Sequence, residues 1–103
     1  MAEITITSNN FESEVLHSDV PVLVDFWATW CAPCRMLAPT IAQLAEEYEG
    51  RIKVGKINVD DEPQLAARFG IVSIPTVKVF RGGNVAGTRV GLRSKAELEA
   101  LLR

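Results

Sequence analysis

Metal ligands are scarce: the chain of 103 residues has two cysteines and a single histidine. A closed zinc site needs four ligands, so Cys31, Cys34 and His17, the last in a different element, cannot build one within one chain. Positive charge is not concentrated either. The net charge is −2, the pI is about 5.4, and no Lys/Arg run appears, which leaves nucleic-acid binding without an electrostatic footprint. No apolar run approaches the roughly 20 residues that span a bilayer, so no membrane role is expected. There is no Gly-rich dinucleotide fingerprint, so no nucleotide cofactor is expected on this chain. The opening Met1-Ala2-Glu3-Ile4-Thr5-Ile6 carries an acid and alternates like a strand, unlike a secretory signal. Both cysteines fall in one motif, which suits a reducing compartment and makes the cytoplasm the expected address. With 48% hydrophobic and 23% charged residues, the chain has the make-up of an ordinary globule. Residues 1–103 are expected to form a single domain, which we expect to be a monomer.

What is present centres on Val22-Leu23-Val24-Asp25-Phe26-Trp27-Ala28-Thr29-Trp30-Cys31-Ala32-Pro33-Cys34. Residues 22–28 read as a buried strand. An apolar stripe at helical spacing follows the cysteines (Leu37, Ile41, Leu44, Tyr48), with Gln43, Glu46, Glu47 and Glu49 on the other side. The cysteine pair therefore sits where a strand hands over to a helix N-terminus. Positions i and i+3 of a helix bring Cα atoms to roughly 5 Å, within the window of an unstrained disulfide. Cys31 is the outer residue, where unpaired N–H groups and the helix dipole favour a thiolate, the reactive form. Cys34, one turn inward, is expected to be more shielded.

Taken in order, residues 3–7 alternate Ile4 and Ile6 inward as a first strand. Asn9 and Glu12 pattern as a capping pair for a short helix through Phe11, Val15 and Leu16, broken by Asp19 and Pro21. The long helix runs from about residue 34 to 48, with Pro39 expected to kink it and Gly50 ending it. A third strand passes through Ile52, Val54, Ile57 and Val59. Asp60, Asp61 and Pro63 open a short helix carrying Leu65 and Phe69, closed by Gly70. Ile74-Pro75 leads into a strand over residues 76–80. Gly82-Gly83 then signals a tight hairpin into a strand reaching about Val90. Ser94 and Glu97 form a capping box for a last helix with Leu98, Leu101 and Leu102 inward. The order β-α-β-α-β-α-β-β-α implies an α/β fold. Its expected form is a mixed five-stranded sheet, three strands linked by parallel crossovers plus an antiparallel hairpin, with four helices on both faces.

Three readings of the cysteine pair remain. A structural disulfide closing so short a loop contributes only about 2 kcal/mol, and a staple would join distant segments. Half of a zinc site lacks its other half. A redox-active dithiol is what this spacing favours in a βαβ setting. Trp30-Cys31-Ala32-Pro33-Cys34, with Asp25-Phe26-Trp27-Ala28 before it and Ser73-Ile74-Pro75-Thr76 downstream, closely resembles the thioredoxin family. The likeness extends over the chain, including Lys56, the glycine hairpin and Gly91.

The resemblance implies a thioredoxin fold and a protein-disulfide reductant, a thiol–disulfide oxidoreductase acting as an electron carrier. Cys31 would attack a target disulfide and Cys34 would resolve the mixed disulfide. Partners would be disulfide-containing target proteins and a thioredoxin reductase, to which the NADPH and FAD belong; no cofactor would be bound here. Asp25 interrupts a strand apolar on both faces, so burial should raise its pKa and make it a proton acceptor for Cys34. The plainer alternative is an ion pair with Lys56. The resemblance makes the Ile74–Pro75 bond cis, packed against the disulfide, with Ile74 offering backbone groups to an extended target. Trp30, Ala32, Pro33 and Gly91 join Ile74 and Pro75 on the expected target-binding face, and Trp27 should pack beneath the motif. Ala32 departs from the glycine most relatives carry there, which raises helix propensity in the first turn. A disulfide oxidase or isomerase of the same fold, and a redox-silent interaction module, are the alternative functions.

Overall fold

Five strands, β1 (Ile4–Thr5), β2 (Val22–Trp27), β3 (Lys53–Asn58), β4 (Thr76–Arg81) and β5 (Asn84–Val90), form one mixed sheet in the order β1-β3-β2-β4-β5. The coordinates are those of a computed structural model that describes residues 3–103; the first two residues of the opening segment lie outside it. β3 runs parallel to both β1 and β2, while β4 is antiparallel to β2 and β5 antiparallel to β4. The turn between β4 and β5 needs its two glycines: Gly82 and Gly83 both have positive φ, 57° and 83°, the pairing that matches hairpin twist.

Alternation along β2 sorts the core. Val24 and Phe26 face one side, with Phe11, Val15, Ile57, Leu65 and Phe80. Leu23 faces the other, beneath α1 (Ala32–Glu47) and α3 (Lys95–Ala100), which contribute Leu37, Ile41, Leu44 and Leu98. α2 (Pro63–Arg68) and a π-helical turn at Glu12–Leu16 cover the first side. Helices thus lie on both faces, as expected, although the first is a single wide turn closed by His17 N–H on Glu12 O at 2.9 Å.

Three helix starts differ from the sequence reading, that of α2 lying at Pro63 after Glu62 rather than at Asp60. Asn9 does not cap the Glu12–Leu16 turn. Asn10 orders the preceding bend instead, its Oδ1 accepting from Thr7 N–H at 2.7 Å and its Nδ2 donating to Thr5 O at 2.9 Å. α1 begins at Ala32 rather than near Cys34, because proline is tolerated in a first turn and Cys31 itself supplies the cap. Elsewhere the reading holds. The Ser94–Glu97 capping box closes in both directions, Glu97 N–H donating to Ser94 Oγ at 3.2 Å and Ser94 N–H to Glu97 Oε1 at 3.0 Å. Among the described residues, no helix is long and apolar enough to cross a membrane.

Candidate active site

The C-terminal ends of β2 and β3, the start of β4 and the end of β5 meet at one end of the sheet, and the cysteines lie there. β2 delivers the chain through Ala28, and Cys31 N–H turns back onto Ala28 O at 3.3 Å. Cys31 then takes the extended conformation of a helix N-cap (φ −92°, ψ 109°), and its Sγ accepts the N–H of Cys34 at 3.2 Å. The two are joined as a disulfide with Cα atoms 5.3 Å apart, the separation that i, i+3 geometry requires. Both are buried, Cys31 at 4% exposure and Cys34 at 2%, so the shielding difference expected from sequence is small here. The half-buried Trp27, Val59 and Ile74 pack round the pair and account for this.

The Ile74–Pro75 peptide is cis, and Ile74 O lies 3.8 Å from Cys31 Sγ. Pro75 O accepts Gly91 N–H at 2.8 Å, so the turn after β5, with Gly91 at φ 91°, is fastened to the same loop. Ala32 and Pro33 are exposed on the first turn of α1. Trp30 is 67% exposed, and its indole Nε1 donates to Asp60 Oδ2 at 2.8 Å. An open, mostly apolar groove of about 380 Å³ begins at Trp30 and runs along Val59, Ile71, Val72, Ser73 and Ile74. Every residue expected on the target face is therefore at this end, although Pro75 is itself buried.

Asp25 sits on β2 between Leu23 and Trp27, on the α1 side, with Lys56 and Val77 as cross-strand neighbours. It is 1% exposed, and among the described residues neither carboxylate oxygen has a hydrogen-bond partner. The expected alternative of an ion pair does not form, because the Lys56 ammonium lies over the Trp27 ring, 4.6 Å from its centroid. Burial pushes the Asp25 pKa up from 3.8 to about 7; the field of Lys56 opposes the rise and that of Glu3 adds to it. An acid that takes or gives a proton near neutrality thus lies under the helix that carries Cys34.

Sequence reasoning missed three parts of the site. By sequence Asp60 reads as part of the start of α2, which instead begins after Glu62 with no side-chain cap; the Asp60 and Asp61 amides bond back to Asn58 Oδ1, leaving the Asp60 carboxylate free to reach Trp30. Val72, 97% exposed, signals the groove, as an apolar residue stranded in a loop between Gly70 and Pro75. Arg35 follows Cys34 directly, and its Nη1 donates to Thr29 O at 2.8 Å, bracing the turn before the motif.

A sequence profile described as Thioredoxin matches residues 2–103. Among curated proteins, "Thioredoxin 1" of Nostoc sp. is 52% identical over 98% of this chain and 94% of its own length. The "Thioredoxin" of Porphyra purpurea is 50% identical over 99% and 95%, and that of Pseudomonas aeruginosa 44% identical over 96% and 92%. With a buried dithiol–disulfide pair at a helix N-terminus and these relatives along its length, the chain belongs to the thioredoxin family and has its dithiol–disulfide redox function.

Proposed function

We propose that the chain works as a reductant of protein disulfides, with Cys31 as nucleophile, Cys34 as resolving thiol and Asp25 as the proton acceptor between them. The observation that carries the assignment is the Cys34 N–H aimed at Cys31 Sγ, because a donor fixed there stabilises negative charge on that sulfur alone. The Cys31 thiolate attacks one sulfur of a target disulfide; a mixed disulfide forms and the target's other sulfur leaves as a thiolate. Cys34 gives its proton to the Asp25 carboxylate and attacks Cys31 Sγ, so the target departs with both sulfurs reduced and Cys31–Cys34 is oxidised. Lys56, held over Trp27, tunes Asp25 through its field.

The target segment lies across Trp30, Ala32, Pro33, Ile74, Pro75 and Gly91, extended enough to bond to the Ile74 backbone, with an apolar side chain in the groove. Recycling falls to a thioredoxin reductase that brings the flavin and NADPH, and this chain binds no cofactor of its own. We take it to act as a monomer in the cytoplasm. The absence of histidine between the cysteines supports a reductant over an oxidase. Reduction of insulin disulfides by the wild type and by Cys31→Ser tests the assignment; equal activity would end it. The reduction potential of the pair separates reductant from oxidase.

A further inference from the structure

Residues 76–96 hold five cations, Lys78, Arg81, Arg89, Arg93 and Lys95, and no acid, in a chain where acids outnumber cations 13 to 11. Arg93 and Lys95 are paired with Glu97 and Glu47. The other three donate hydrogen bonds to neutral oxygens: Lys78 to Thr88 Oγ1, Arg81 to Leu102 O and Arg89 to Thr88 O. β5 is the open edge of the sheet on this side. Because Gly91 N–H points inward to Pro75 O, the alternation of an antiparallel pair turns the N–H and C=O of Thr88 and Val90 outward.

Both outward carbonyls are covered by arginine. Arg89 Nη1 donates to Thr88 O at 2.9 Å, and Arg93 Nε and Nη2 donate to Val90 O at 3.1 and 3.0 Å. The edge is left with outward N–H donors and positive charge but with its acceptors taken. An added strand needs donors and acceptors in turn, so this rim is a poor template for one. A carboxylate needs only donors. The rim is also continuous with Gly91, and so with the loop whose Ile74 carbonyl lies beside Cys31 Sγ. Across the site, beside Trp30, stands the Asp60 carboxylate, which repels an acid on that flank.

We propose that the outer edge of β5 at Thr88 and Val90, with Arg89, binds acidic side chains of the proteins whose disulfides this chain reduces, and so selects targets with an acidic flank. The proposal rests on the redox reading above. Two disulfide peptides that differ only in a Glu-Glu or Lys-Lys pair beside the disulfide test it. The wild type is expected to reduce the Glu peptide about five- to tenfold faster in kcat/KM at low ionic strength, since rim charges act mainly on encounter. The preference should vanish in about 0.5 M salt, where screening is short-ranged. Arg89→Gln, which leaves the Arg93 contacts in place, should cut it at least threefold. Equal rates, a Lys preference, or a full preference retained in Arg89→Gln would overturn the proposal. Separately, a cysteine-free Glu peptide, but not its Gln counterpart, should shift the Thr88 and Val90 amide resonances of the oxidised protein; unmoved amides also overturn it. If neither disulfide peptide is reduced, the redox reading fails, while the amide shifts still decide the rim.

Discussion

The backbone N–H of Cys34 points at the sulfur of Cys31 from 3.2 Å, and no acid stands in the first turn of α1 to oppose charge there. On the proposed mechanism the arrangement divides the labour, Cys31 starting the exchange and Cys34 finishing it. Cys34→Ser should therefore still attack target disulfides but stall as a mixed disulfide, visible as a reducible covalent adduct by mass spectrometry. Cys31→Ser should give no adduct. Adducts of similar yield from both variants would contradict the assignment.

Asp25 should make stability depend on pH in an unusual sense. Its carboxyl titrates at about 7 in the folded chain against 3.8 as the ordinary value, so the native state binds the extra proton between those limits. The penalty is absent below about pH 4, grows as pH rises, and is complete above about pH 8. Asp25→Asn removes it. Urea unfolding should show a gain on the order of 4 kcal/mol at most at pH 8.5, and almost none at pH 4. The same variant should resolve mixed disulfides more slowly near neutrality. A gain that does not change with pH would mean the carboxyl is ionised throughout.

Trp30 presents a large exposed ring, held in place by Asp60, on the proposed target face. Trp30→Ala should raise KM for a protein disulfide about tenfold, in line with loss of an aromatic contact residue. Asp60→Asn keeps a hydrogen-bond acceptor for the indole and should change KM far less. An unchanged KM in Trp30→Ala would remove the ring from the target face.

At the other end of the chain, the Ser94–Glu97 box starts α3, which seats Leu98 in the core beneath α1. Ser94→Ala should cost about 1 kcal/mol in urea unfolding. Redox activity, which lies on other elements, should be unaffected in the folded protein. A loss below about 0.3 kcal/mol would show that the box contributes little.

Much of this architecture was legible because the elements are patterned at their own periods: Leu37, Ile41 and Leu44 at helical spacing, Val24 and Phe26 alternating with Leu23. Gly82-Gly83 and Ser94–Glu97 marked their turn and cap because each motif satisfies its own backbone locally. The cysteine site was legible for the same reason, since two thiols at i, i+3 need only one helical turn to meet. Features that depend on distant contacts were not. Asn9 and Asn10 are equally plausible caps until Thr5 and Thr7 are placed beside one of them. Asp60 looks like a helix start until Trp30 comes within reach from 30 residues away. Lys56 looks like the partner of Asp25 until the Trp27 ring offers its ammonium another seat.

The most direct test is the ionisation of Cys31 in the reduced protein, followed by thiolate absorbance and by the pH dependence of alkylation, with Cys34→Ser isolating the signal. A sulfur fixed at the helix N-cap should ionise below the range of free cysteine, about 8.5, and take up reagent first. If Cys31 ionises at or above that range, or alkylates no faster than an unfolded control at the same pH, the helix terminus does not stabilise the thiolate and the mechanism built on it is wrong.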